Sequence, residues 1–162
     1  MKKFGYLLLV VLIVIQFFRP QKNIDAAPTA SANNISKLYA VPESIHGILK
    51  TSCYDCHSNN TVYPWYNNIQ PVAWWLNNHV KEGKDELNFD EFTTYPARRQ
   101  YRKLEEVIDE VKEDKMPLSS YTLIHKDAKL SQEQKAAITD WAEGIRKQLE
   151  VKYPPDSLKR KQ

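Results

Sequence analysis

Cysteine is scarce in this chain: Cys53 and Cys56 are the only two among 162 residues. One pair cannot build a disulfide framework, nor a zinc site of three or four thiolates. A zinc site of two cysteines and two histidines would need a further histidine at suitable spacing. His46 precedes the pair and His79 lies far downstream. Glycine is scarce too, four residues against nine prolines, so the turns are fixed rather than flexible. Methionine is nearly absent; after Met1 only Met116 remains. No apolar run reaches the ~20 residues of a spanning helix. A surplus of charge is lacking as well. The formal +3 resides in the first 34 residues, where Lys2, Lys3, Arg19 and Lys22 face Asp25. From Ile35 onward 19 basic residues meet 19 acidic ones. A balanced domain has no electrostatic footprint for nucleic acid.

What the chain does have is Cys53-Tyr54-Asp55-Cys56-His57, a C-x-x-C-H. Two thiols at this spacing can add to the two vinyl groups of one haem, and the adjacent imidazole then falls against the iron. This is the attachment signature of haem c. A thioredoxin-like redox pair would want a β-α-β pattern around the cysteines, and none is present.

The N-terminus, residues 1–22, reads as a membrane anchor or signal segment. Met1-Lys2-Lys3 is a charged start and Phe4–Phe18 an apolar stretch. As a helix that stretch spans roughly 22 Å at ~1.5 Å per residue, short of a ~30 Å hydrocarbon core. Cleavage needs small residues close behind it, but Arg19-Pro20-Gln21-Lys22-Asn23 follows, and the nearest A-x-A is Ala30-Ser31-Ala32. An uncleaved anchor through residues 4–18 is the favoured expectation. Either way the domain is exported, to the periplasmic side of the bacterial cytoplasmic membrane, where covalent haem attachment takes place. Residues 23–37 read as a linker rich in Ala, Asn, Ser and Thr.

Residues 38–153 read as an all-α, cytochrome c-like haem-binding domain. Pro42 to Lys50 is a short helix with Ile45, Ile48 and Leu49 on one face and His46 exposed. It runs directly into Cys53. Ser58–Ile69 is a loop in which Val62, Tyr63, Trp65 and Tyr66 are expected to pack beneath it, or some of them to line the haem edge. Pro71–Glu82 is predicted as a helix closed by Gly83, with Val72, Trp75, Leu76 and His79 on its buried stripe. Lys84–Pro96 is irregular and anchored by Phe89 and Phe92. Arg98–Asp114 carries the stripe Tyr101, Leu104, Ile108 and Val111, with Val107 beside it. Ser131–Leu149 opens on the capping box Ser131-Gln132-Glu133-Gln134 and buries Ile138, Trp141, Ile145 and Leu149. Ala137 and Ala142 allow a close approach there. Tyr153-Pro154-Pro155 ends the domain, and residues 154–162 form a basic tail.

Met116 stands just past a helix, in a loop closed by Pro117, which fixes its own backbone. A thioether opposite histidine is a standard haem arrangement that raises the reduction potential. Met116 is therefore the favoured sixth ligand, with His79 and His125 as the other candidates.

The order of short helix, C-x-x-C-H, loops and helices, Met-Pro and terminal helix resembles a class I cytochrome c. Tyr54-Asp55-Cys56-His57-Ser58-Asn59, Tyr63-Pro64-Trp65-Tyr66 and Lys115-Met116-Pro117-Leu118 together resemble the bacterial haem-binding domain family of small, membrane-anchored c-type proteins. The resemblance covers about residues 38–148. It implies covalent haem on Cys53 and Cys56, proximal ligation by His57 and a distal position matching Met116. The expected role is one-electron transfer rather than catalysis, to redox partners among membrane respiratory components. A haem enzyme or small-ligand sensor with an open sixth iron site is the alternative.

Overall fold

The computed structural model describes residues 2–25 and 31–159. Every regular element among them is helical, and the only strand-like pairing is a single bridge between Ile24 and Asn60. The helices are α1 (Lys2–Ile15), α2 (Glu43–Ser52), α3 (Tyr54–His57), α4 (Val72–Glu86), α5 (Ala97–Lys112), α6 (Ser119–Ile124), α7 (Gln132–Lys152) and α8 (Pro155–Leu158). The all-α expectation holds.

The core forms because each long helix carries one apolar stripe. On α5 it is Leu104, Ile108 and Val111; on α7 it is Ile138, Ala142, Ile145 and Leu149, all buried. The α5–α7 pair is the most extensive helix contact, and Ala142 is fully buried in the shared core. The predicted stripes on both helices stand, with Tyr101, Val107 and Trp141 half-buried at their edges. The capping box of α7 is made in full: Gln134 N–H donates to Ser131 Oγ at 3.2 Å, and the Gln134 side chain accepts from Ser131 N–H at 2.8 Å. Ile45 and Leu49 of α2 enter the same core, as do Phe89 and Phe92 from a 3₁₀ turn over Phe89–Thr94.

Four sequence readings need correction. First, α4 does not stop at Gly83; it runs to Glu86, because Gly83 is used for close packing rather than for a turn. Second, its buried side is Ala73, Leu76 and Val80, one position off the predicted stripe. Val72 and Trp75 are exposed and His79 is half-buried. Third, α1 ends at Ile15, short of Phe18. It is apolar and exposed along its length, and among the described residues no helix is long and apolar enough to cross a membrane. Fourth, the stretch read as a linker enters the fold. Ile35 is fully buried, and Asn33 and Asn34 donate to Glu91 and Asp90 at 3.1 and 2.7 Å. Residues 26–30 of that stretch, and residues 160–162 of the basic tail, lie outside the described residues. Beyond Tyr153, α8 packs against α5 and sends Leu158 into the core.

The root of α1 is fastened to the loop ahead of α4. Gln70 N–H donates to Gln16 Oε1 at 2.9 Å, and Gln16 Nε2 donates to the Gln70 carbonyl at 3.2 Å. The Phe18 carbonyl accepts from Gln70 Nε2 at 2.7 Å and from Trp74 Nε1 at 2.9 Å.

Candidate functional site

Cys53 closes α2 and opens α3 with a φ of −128° that belongs to neither helix. Cys56 N–H and His57 N–H both donate to its carbonyl, at 3.2 and 3.0 Å. The C-x-x-C-H is thus one helical turn hung from Cys53. Its two intervening side chains tie it down, and Asp55 also borders the space beside the motif. Tyr54 packs against Phe89, ring centroids 5.7 Å apart. Asp55 accepts from Val62 N–H at 3.0 Å and from the Tyr121 hydroxyl at 2.8 Å. Ser58 Oγ donates back to the Tyr54 carbonyl at 2.7 Å. Both cysteines are free thiols.

The other face of this turn opens on a cleft with two lobes. Cys53, His57, Glu86, Met116 and Pro117 line both of them. The inner lobe, of about 290 Å³, has a floor of Leu49, Leu87, Phe89, Val111 and Ile138. The outer lobe, of about 260 Å³, adds Cys56, His79, Gly83, Leu118 and Tyr121. The four predicted site residues, Cys53, Cys56, His57 and Met116, therefore meet around one mainly apolar space.

His57 is oriented from behind. Its Nδ1 lies 2.9 Å from the Leu87 carbonyl, an acceptor only, so Nδ1 carries the hydrogen and Nε2 keeps its lone pair. A carbonyl behind an imidazole is the usual arrangement for a metal-bound histidine. Burial holds the imidazole below its ordinary pKa, against the opposing pull of the Leu87 and Gly83 carbonyls. The thiols are shifted the other way. Burial first, then the neighbouring Cys56, pushes Cys53 up to about 12. Burial, then Asp55, pushes Cys56 up to about 11. Both stand as neutral S–H groups.

Met116 is placed by the end of α5. Asp114 takes a left-handed φ of 58°, which short polar side chains tolerate. The reversed chain lets Lys115 N–H and Met116 N–H donate to the Glu110 carbonyl at 2.9 and 3.0 Å. This is a helix end satisfied by its own continuation.

The rival ligands divide. His79 borders the outer lobe, but its ring packs tilted against Trp75, centroids 4.3 Å apart, and its Nδ1 meets the Trp75 carbonyl at 2.9 Å. His125 borders neither lobe; it stacks on Tyr121 at 4.3 Å and meets the Tyr66 hydroxyl at 2.9 Å. His46 is exposed beside Glu43, as read from the sequence. Tyr63, Trp65 and Tyr66 do not reach the cleft. Tyr63 instead accepts from Asn23 N–H at 2.7 Å, and Val62 and Trp65 are exposed rather than packed beneath the loop. The aromatic rings on the lining are Phe89 and Tyr121.

Three participants were missed from sequence. Tyr121 lies on the unforeseen α6, Gly83 was read as a stop, and Lys103 looked like one surface charge among many. A lone glycine inside a helical pattern was the one available signal.

An apolar cleft with two free thiols on one wall and an oriented imidazole beside them fits a flat, mostly apolar group with attachment points on one edge. Among the described residues no three His, Cys, Asp or Glu side chains converge to hold a bare metal ion. The class so defined is a small helical protein built around a prosthetic group. The chain belongs to the haem-binding domain family, whose model matches residues 10–144, and it is a haem-binding protein. No curated protein and no solved structure matches the chain.

Proposed function

We propose that this protein is an exported one-electron carrier with a single haem c joined to Cys53 and Cys56. His57 is the proximal ligand and Met116 the distal one. Each thiol would be held by net addition of its S–H across a vinyl double bond of the haem, sulfur to one carbon and hydrogen to the other, with no oxidant consumed. The observation that most supports this reading is the Leu87 carbonyl behind His57, which leaves Nε2 as the lone-pair nitrogen on a cleft shared with both thiols and Met116.

Haem supplies the redox chemistry when bound. The chain's residues supply position and dielectric. The apolar floor excludes water. Met116, pinned to the last turn of α5, offers a soft ligand whose kind raises the reduction potential. With His57 and Met116 both engaged, no iron position is left for a substrate, which favours electron exchange over catalysis. The likeness to class I cytochromes c belongs to this proposal. So does a place on the outer face of the cytoplasmic membrane, with partners among membrane respiratory components. The exposed apolar surface of α1 supports that placement.

The test is an optical spectrum of the full chain exported with haem-maturation machinery. A low-spin ferric haem with a sulfur-to-iron charge-transfer band, not extractable into acidified organic solvent, is expected. An extractable haem, or a high-spin haem that binds carbon monoxide readily, overturns the carrier.

A further inference from the structure

Lys103 is a charged side chain where charge is expensive. It is 4% exposed, on the buried side of α5. Lysines are almost never buried so fully without pairing. Nζ donates to Glu86 Oε2 and to Glu106 Oε2, each at 2.6 Å. An ammonium has three hydrogens to give. Among the described residues these two carboxylates are its only hydrogen-bond acceptors. Lys103 also borders the inner lobe of the cleft, and it is the one Lys or Arg on the lining of either lobe. Glu86, Glu106 and Glu110 are on the same lining.

A haem brings two carboxylates of its own. On a rim otherwise acidic, one place attracts them. We infer that Lys103 is the counter-ion of a haem propionate, with Glu86 holding its ammonium until the propionate arrives. This rests on the haem reading above. Glu86 suits the exchange because its side chain is 76% exposed, so a freed carboxylate passes into water at little cost. Glu106 lies one turn along α5 from Lys103 and is 41% exposed, so it keeps the ammonium paired throughout. A structural lysine would need neither the cleft nor a spare donor.

The experiment uses the exported, haem-loaded full chain in four forms: wild type, Lys103→Met, Lys103→Arg and Glu86→Gln. Haem content of each is read first, from the pyridine haemochrome. The propionate bending band is then read by resonance Raman, and the midpoint potential by titration. The band is expected to move in Lys103→Met and to return in Lys103→Arg. The potential is expected to fall in Lys103→Met, because a positive charge beside the haem favours the reduced form. Glu86→Gln is expected to leave the band in place, because in the loaded protein Glu86 has already given up the ammonium; a shift there overturns the exchange. Should Lys103→Met fold poorly, Lys103→Gln, read in the same way, takes its place. Loaded haem with one unmoved band in all four forms overturns the counter-ion and leaves the haem reading intact. A wild type without haem removes both.

Discussion

Gly83 of α4 stands directly against Cys56. A Cβ built on Gly83 would come within 2.8 Å of the Cys56 carbonyl oxygen and 3.0 Å of its Cβ. Neither atom belongs to a flexible side-chain end, so one helix must move to admit a methyl group. Intrinsic propensity runs the other way: alanine inside a helix is favoured over glycine by about 1 kcal/mol. Gly83→Ala is expected to destabilise the protein despite that preference, by about 1–3 kcal/mol as overpacking does. It should also reduce covalent haem per chain, since Cys56 and His57 shift together. Urea unfolding and haemochrome yield check both.

Met116 gives a second prediction. Met116→Ala is expected to abolish the sulfur-to-iron band and lower the midpoint potential, while His79→Ala leaves both in place. The contrast follows from geometry. Met116 borders both lobes, whereas the His79 ring packs tilted against Trp75 and its Nδ1 is engaged by the Trp75 carbonyl. If His79→Ala removes the band and Met116→Ala does not, the distal ligand has been misassigned.

The bond from Tyr121 to Asp55 fastens the segment after Met116 to the attachment turn. It is a hydroxyl donating to a carboxylate, a type worth about 1.5–3 kcal/mol when charge-assisted. Both partners are only half-buried, which places the expected loss for Tyr121→Phe near the lower figure. Differential scanning of the loaded protein reads it. The sulfur band should broaden as well, because the Met116 loop loses its far fixing point.

The thiols make a prediction about pH for the chain before haem is attached. Both pKa values are raised on folding, from 9.0 to about 12 for Cys53 and about 11 for Cys56. A raised value means the folded state holds its protons longer. The contribution is therefore fully present below pH ~9 and is lost as pH climbs through about 11 to 12. At pH 8 the folded Cys56 has about a hundredfold less thiolate than the unfolded chain, by two units of pKa. Iodoacetamide should label the folded, haem-free chain more slowly by a comparable factor, and urea should erase the difference.

Much of this was readable from spacing alone. The stripes of α5 and α7 and the capping box follow from local periodicity, and Cys53, Cys56 and His57 share a motif that is itself one helical turn; Met116 follows from its Met-Pro loop and the family resemblance, not from spacing. What escaped depended on neighbours far along the chain. α4 packs on both α3 and the 3₁₀ turn over Trp65–Asn68, and it turns Ala73 inward and the apolar Trp75 outward. The helical spacing of Val72 and Trp75 with Leu76 and His79 marks a stripe one position away from the side that packs. Lys103 was unreadable because a lysine in a charged helix looks solvated until Glu86, 17 residues earlier, is brought beside it.

The paired amide hydrogen bonds between Gln16 and Gln70 have a mechanical meaning. They make α1 a stalk with a set angle instead of a leash. The loop that receives it leads straight into α4, and α4 carries His79 and Gly83 on the wall of the cleft. Any surface that grips the greasy side of α1 therefore also chooses the compass bearing in which the cleft faces outward.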